Sequence, residues 1–175
     1  MQACLKKTLF VLVGLIVIGI SFFWAKSHSV NAANIDGKIF GDWKISCPKS
    51  EKKVAICFLT QRVTTTKDDK LQVLAIYQIG YFGKEKILKM VQILPLGINL
   101  QAGTSIINND KLLALGKFTI CTTIGCEAIS AISDDDLQVI LSNRNNFLGC
   151  MNGDGKQINL PFSVNGLKEG IEALK

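Results

Sequence analysis

KFTICTTIGCEAI, residues 117–129, is the stretch of the sequence that decides the fold. Two short apolar runs flank a connection of four residues, and a cysteine stands beside the connection on each side, Cys121 and Cys126. Apolar runs around such a connection predict an antiparallel hairpin. The two thiols could form a disulfide, bind a metal ion or do redox chemistry, and the compartment decides among these alternatives.

The N-terminal segment indicates the compartment. Lys6 and Lys7 precede residues 9–25, an apolar run without charge, and polar residues follow that run. This layout is typical of a secretory signal peptide. Val30 and Ala32 are the small residues that a signal peptidase reads, so cleavage is predicted after Ala32. The protein is therefore expected to be exported.

Residues 1–32 are thus predicted to be a signal peptide, and residues 33–175 a single exported domain. The expected location is the periplasm, the secreted fraction or the outer surface of a bacterium. An uncleaved N-terminal anchor is the alternative, because the apolar run is close to the shortest length that spans a bilayer. Cleavage removes three lysines and no acidic residue, so the formal net charge falls from +6 to +3. Nucleic-acid binding is not expected, because the remaining lysines are scattered rather than gathered in a basic stripe.

Five of the six cysteines lie in the exported part, at Cys47, Cys57, Cys121, Cys126 and Cys150. An oxidising compartment makes disulfides the expected state. Cys47 can face Cys57, and Cys121 can face Cys126, each across a short loop. Cys150 is left over; we expect a buried free thiol, with pairing between chains or a response to oxidation as alternatives. The spacings lack the Cys-x-x-Cys pairs of an all-cysteine zinc site or a thioredoxin-like centre, so neither a metal nor a cofactor is expected.

Catalytic groups are scarce in the exported part. The single histidine, His28, lies in the predicted signal peptide, so the mature domain can build neither a Ser-His-Asp nor a Cys-His site. Carboxylates remain, and a periplasmic hydrolase or glycan-processing enzyme using Glu127 or the cluster Asp134–Asp136 is the alternative function. Capping of a helix N-terminus is the expected role of the cluster, because Ser133 precedes it.

The pattern along the exported part favours an all-β fold. Residues 43–47 alternate apolar and polar side chains, as a strand with one buried face does. Similar runs recur between turn clusters such as residues 108–111 and 152–155, and they predict about nine or ten short strands. One or two short helices are expected, one of them after Ser133. This count predicts a disulfide-stapled β-sandwich or barrel.

The order of several motifs resembles the invasion-associated locus B family of exported bacterial proteins. The likeness covers about residues 40–175. It is carried by Gly41-Asp42-Trp43, Cys47, Cys57, Pro95-Leu96-Gly97, Gly103, Cys121, Gly125-Cys126, Pro161, Gly166-Leu167 and residues 170–175. Cys150 is extra to the family pattern, so the resemblance gives it no role.

The resemblance implies an immunoglobulin-like β-sandwich in the periplasm or at the bacterial surface, linked in pathogens to the invasion of host cells. It implies no catalytic site. We therefore expect a non-enzymatic interaction module that binds an envelope or host protein, or a glycan, through its strand edges or loops. Contact with a membrane is expected only through the N-terminal segment, if that segment stays uncleaved.

Overall fold

A computed structural model describes residues 32–48 and 56–175. The predicted signal peptide or anchor lies outside the described residues, apart from Ala32. The elements are, in chain order, α1 (Ala32–Ile35), β1 (Ile39–Phe40), β2 (Trp43–Ser46), β3 (Phe58–Lys67), β4 (Lys70–Phe82), β5 (Ile87–Leu94), a 3-10 helix (Leu100–Ala102), β6 (Thr104–Asn108), β7 (Lys111–Thr122), β8 (Gly125–Ala131), α2 (Asp134–Ser142), β9 (Asn146–Met151), β10 (Gln157–Pro161) and α3 (Leu167–Ala173).

The ten strands of the described residues form one sheet, in the order β1-β2-β3-β4-β5-β8-β7-β6-β9-β10. Every neighbouring pair is antiparallel. The prediction of a mostly β chain with about nine or ten strands and few short helices is confirmed. The hydrogen bonds join the strands in a single sheet, and the immunoglobulin-like sandwich stays a prediction. No helix of the described part is long and apolar enough to cross a membrane.

The strands place one face inward, and this face forms the core. In β2, Trp43 and Ile45 are fully buried whereas Lys44 between them is exposed, which is the period-two pattern of a half-buried strand. The same alternation continues through β3, β4 and β5, where Leu59, Tyr77 and Met90 are buried on the inward face. One hydrophobic cluster therefore spans the interior of the sheet.

The chain after β10 returns to the first strands and closes the core. The Trp43 indole Nε1 donates a hydrogen bond to the Ser163 carbonyl oxygen at 2.8 Å, and the Ser163 backbone N–H donates to Gln61 Oε1 at 2.9 Å. The Asp42 backbone N–H donates to the Asn165 carbonyl oxygen at 3.1 Å. The sheet is therefore curled, and its last strand leads the chain back to β2 and β3.

Helix α2 begins where the sequence predicted a helix cap. Ser133 Oγ accepts a hydrogen bond from the Asp136 backbone N–H at 3.1 Å and donates to Asp136 Oδ2 at 2.5 Å. The negative charges of the first turn also interact favourably with the positive end of the helix dipole. Leu137 and Ile140 point into the core from this helix. The helix-capping prediction for Asp134–Asp136 is confirmed.

The hairpin of residues 117–129 is formed by β7 and β8, and Cys121 lies directly opposite Cys126 in its register. Strand β7 is longer than the hairpin, because it starts at Lys111 and continues through Gly116. The register shifts between Phe118 and Ile120, so a bulge bends the strand on the way to the turn.

Candidate functional site

The structure pairs Cys47 with Cys57 and Cys121 with Cys126, the two pairs predicted from the sequence. The Cα atoms are 4.2 Å apart in the first pair and 4.0 Å apart in the second. Both disulfides join neighbouring antiparallel strands at or next to a connection. Their position indicates a structural role, since each fixes the relative position of two strands.

Cys150 has no disulfide partner among the described cysteines and is buried, with 5% of its surface exposed. It lies on β9, opposite Thr104 of β6 and Ile158 of β10. Burial raises the pKa of the Cys150 thiol, so the reactive thiolate is disfavoured. This environment suits the predicted buried free thiol better than an oxidation sensor.

A small polar cluster lies next to Cys150 inside the core. Thr104 Oγ1 donates to Gln92 Oε1 at 2.9 Å, and Gln92 Nε2 donates to Ser130 Oγ at 2.9 Å. Gly116 lies between these groups, and a Cβ atom there would stand 2.6 Å from Ser130 Oγ and 3.1 Å from Gln92 Oε1. The cluster is buried and its hydrogen bonds join strands β5, β8 and β6, so it has a structural role.

The carboxylates that an acid-base mechanism would need are engaged elsewhere. Glu127 is on the outward face of β8, and Thr119 Oγ1 donates to Glu127 Oε1 at 3.5 Å. Asp136 belongs to the cap of α2, as described above, and Asp134 and Asp135 share the exposed first turn of that helix. None of these residues lines the groove described next.

An open groove of about 530 Å³ lies on the outward face of β6, β9 and β10 and under the turn from β6 to β7. Its lining side chains are an aromatic and an aliphatic residue, four amides and one carboxylate: Phe147, Ile107, Asn109, Asn145, Gln157, Asn159 and Asp110. No cationic side chain is among these lining residues. The groove is therefore a mixed surface of apolar and mostly neutral polar groups.

The register of the sheet explains why these residues meet. Ile107 of β6 pairs with Phe147 of β9, so their outward side chains lie side by side. Gly149 comes two residues further along β9 and pairs with Asn159 of β10. A Cβ atom at Gly149 would stand 2.6 Å from Ser105 Oγ and 3.2 Å from Ile107 Cδ1. The absent side chain of Gly149 thus leaves space that Ser105 Oγ and Ile107 Cδ1 fill.

Hydrogen bonds orient the amides that line the groove. Asn145 Nδ2 donates to Asn109 Oδ1 at 3.1 Å, and Gln157 Nε2 donates to Asn159 Oδ1 at 3.1 Å. The Asn109 backbone N–H also donates to the Asn145 carbonyl oxygen at 3.3 Å. Asn109 and Asp110 have positive φ of 44° and 65°, as a tight hairpin turn requires. The turn that the sequence predicted here also carries two lining residues of the groove.

Sequence reasoning missed this groove. The Asn-rich stretch of residues 143–146 and the turn of residues 108–111 are far apart in the chain, and only the pairing of β6 with β9 brings them together. The one available signal was the density of asparagine along residues 143–159, which has no strand or helix preference to explain it.

The fold and the sequence both match known proteins. In a comparison with solved structures, the chain is similar to the crystal structure of invasion associated protein B from Bartonella henselae, with a TM-score of 0.65 and 15% sequence identity. The superposition covers 78% of this chain and 92% of the Bartonella chain, which shows a shared fold. A search among curated proteins finds no match. The model of the invasion associated locus B (IalB) protein family matches residues 43–175, and the chain therefore belongs to this family.

Proposed function

We propose that this IalB family protein is a non-enzymatic interaction module, exported to the bacterial periplasm or surface, that binds an envelope or host component and contributes to the invasion of host cells. The observation that carries the proposal is the open groove with four amides and an aromatic ring on the outward face of β6, β9 and β10. A groove lined by side chains that donate and accept hydrogen bonds, beside an apolar floor, suits recognition.

Two observations support the exported location. Both disulfides are of the kind that persists in oxidising compartments. The sequence of residues 1–32 has the layout of a signal peptide. The invasion-associated name belongs to the Bartonella relative and to the family, and it supports a role at the host interface for this chain.

We also propose that the curled sheet packs as the two layers of an immunoglobulin-like sandwich. Residues of β4 meet residues at and after β10: the Tyr77 hydroxyl donates to the Leu160 carbonyl oxygen at 3.3 Å. The rings of Tyr77 and Phe162 stand edge to face, with centroids 5.7 Å apart. These contacts support a packing of one half of the sheet over the other.

The groove favours binding over hydrolysis. General acid and base catalysis on a glycosidic bond uses two carboxyl groups about 5 to 10 Å apart. Asp110 is the one carboxylate among the lining residues. The hydrolase alternative would need a second acidic group at this place, and Glu127 and Asp134–Asp136 do not supply it.

The proposal is tested by retention on cells. The oxidised protein from the exported fraction would be incubated with host cells and with bacterial envelope fragments, and bound protein would be measured after washing. We expect retention by the native chain and a loss of retention in a Gln157→Ala, Asn159→Ala double variant. Gln72→Ala changes an exposed amide outside the groove and serves as the control. Equal retention of all three proteins, or turnover of an envelope polymer by the native chain, would sink the proposal.

A further inference from the structure

The side chains that line the groove favour one class of ligand. This inference rests on the proposed function, because both take the groove as the binding surface. We propose that the groove binds a neutral oligosaccharide. Its volume of about 530 Å³ suits a small organic ligand, for which sites of about 300 to 1,000 Å³ are usual. Its open shape lets a longer chain continue beyond the sheet.

The polar lining matches sugar hydroxyl groups. Each hydroxyl both donates and accepts a hydrogen bond, and each Asn or Gln side chain offers donors and an acceptor on one planar group. Each of the two amide pairs uses one hydrogen bond between its own members: Asn145 donates to Asn109, and Gln157 donates to Asn159. The remaining donors and lone pairs are held in place before the ligand arrives, which lowers the entropy lost on binding.

The apolar part of the lining matches the other side of a sugar ring. Phe147 and Ile107 form a half-buried apolar surface between the amides. The C–H groups on one face of a pyranose are apolar, and they pack on an aromatic ring while the hydroxyls at the rim bond to polar side chains. The volume of the groove accommodates such a stacked ring.

Charge and backbone argue against other ligands. Among the described residues that line the groove, Asp110 is the one with a charge, so phosphate, nucleic acid and anionic sugars would meet a carboxylate there. A peptide adding a strand would need the free edge of β10. Pro161 has no backbone N–H, and the Leu160 carbonyl oxygen already accepts from Tyr77, so this edge is a poor template.

In the test, probes are titrated into the exported, disulfide-bonded protein, and binding is measured by calorimetry and by NMR chemical shifts. The probes are cellohexaose and chitohexaose as neutral chains, a polygalacturonate hexamer as an anionic chain, and an eight-residue peptide of alternating Thr and Val. We expect a neutral chain to bind and to shift signals of Asn145, Phe147 and Asn159. Saturation by the anionic chain or the peptide alone would overturn the inference.

Variants link the binding to the groove. Asn159→Ala should weaken the neutral chain about tenfold, because one lost hydrogen bond of about 1.4 kcal/mol is a factor of ten. Phe147→Leu should weaken it similarly, while Phe82→Leu, another half-buried outward aromatic, should leave it unchanged. Groove-dependent retention on cells without binding of any neutral probe would overturn the sugar assignment and leave the proposed function standing. If the groove variants are retained on cells as well as the native chain is, the proposed function itself is wrong.

Discussion

Gly116 is the residue on which the buried polar cluster depends. A methyl group at this position would collide with Thr104 Oγ1 and Ser130 Oγ and press on Gln92 Oε1. Glycine is required because three strands send polar side chains into the space that its own side chain would fill. The hydrogen bonds of the cluster in turn fix how these strands align in an otherwise apolar core.

Replacing Gly116 should therefore be costly. Gly116→Ala is expected to lower the free energy of unfolding by about 1 to 3 kcal/mol, the usual range for overpacking. Urea denaturation measures this change. In a background of Thr104→Ala and Ser130→Ala the same substitution should cost less, because both colliding hydroxyls are gone. An equal cost in the two backgrounds would show that the collision is not the cause.

Cys150 and Tyr77 make stability depend on pH on the alkaline side. Burial raises the pKa of the Cys150 thiol above its ordinary 9.0, and burial followed by the neighbouring Cys150 raises the pKa of the Tyr77 hydroxyl above its ordinary 10.0. Below these ordinary values both states of the protein hold the protons. Above them the unfolded chain loses protons that the folded chain keeps, so stability falls as pH rises.

The expected result is a flat free energy of unfolding from about pH 6 to 8 and a decline above about pH 9. Denaturation curves at several pH values check it. Cys150→Ala should flatten the first part of the decline, between about pH 9 and 10, and leave the part due to Tyr77. A decline of the same size in the variant would contradict the role of the thiol.

At the scale of elements, the two disulfides act on hairpins rather than on the whole sheet. Each closes a short loop, with sequence separations of 10 and 5 residues. In the chain-entropy treatment, short loops give a modest gain that grows slowly with loop length. The bond between Cys47 and Cys57 should thus contribute slightly more than the bond between Cys121 and Cys126.

The paired change Cys121→Ala and Cys126→Ala should cost about 2 kcal/mol of stability, and Cys47→Ala with Cys57→Ala about 3 kcal/mol. Thermal and urea unfolding of the oxidised proteins measure both. Cys150→Ser is not a suitable control, because it puts a polar group in the core, so Cys150→Ala is used. If the two paired changes had no effect, the staples would be dispensable for the fold.

Local signals explain which elements could be predicted. The β7 and β8 hairpin and the cap of α2 each depend on residues within a few positions of one another, so the sequence shows them directly. The pairing of β6 with β9 instead crosses about 40 residues and depends on the packing of the whole sheet. The groove is built on that pairing, and the density of asparagine along residues 143–159 is its one local signal.

Two features of the sheet depend on packing between distant parts of the chain. Gly116 has a poor strand preference, yet β7 runs through it, because Thr104 and Ser130 pack into the space beside it. The order of strands around β5-β8-β7-β6 also follows from long-range pairing. Strand number and disulfide pairs were within reach of the sequence, while strand order was not.

For the whole molecule, the segment after β10 acts as the closure of the sheet. It covers Trp43 and supplies the partners of the Trp43 indole and of Gln61, and α3 then lies against β1, β2 and β3. Gly170 of α3 approaches Leu59 so closely that a Cβ atom would stand 2.6 Å from Leu59 Cδ2. The core is therefore incomplete until the last residues have docked.

A chain that ends at Pro161 should lose cooperative unfolding, because Trp43 and Leu59 would be exposed to water and two buried polar groups would lack partners. Differential scanning calorimetry would show a broad transition or none. Removing only Lys175, which is exposed, should leave the melting temperature unchanged. A sharp transition in the shorter chain would mean that the sheet is complete without its closing segment.

The position of the Cys121 to Cys126 bond has a consequence for the way the chain matures. The two thiols meet only when β7 and β8 pair in the native register, because a slip by one residue turns one sulfur to the opposite face of the sheet. An oxidant can therefore form this disulfide in correctly aligned hairpins and not in misaligned ones. Formation of this disulfide thus selects the native register of β7 and β8, and β7 is the strand with which β6 pairs.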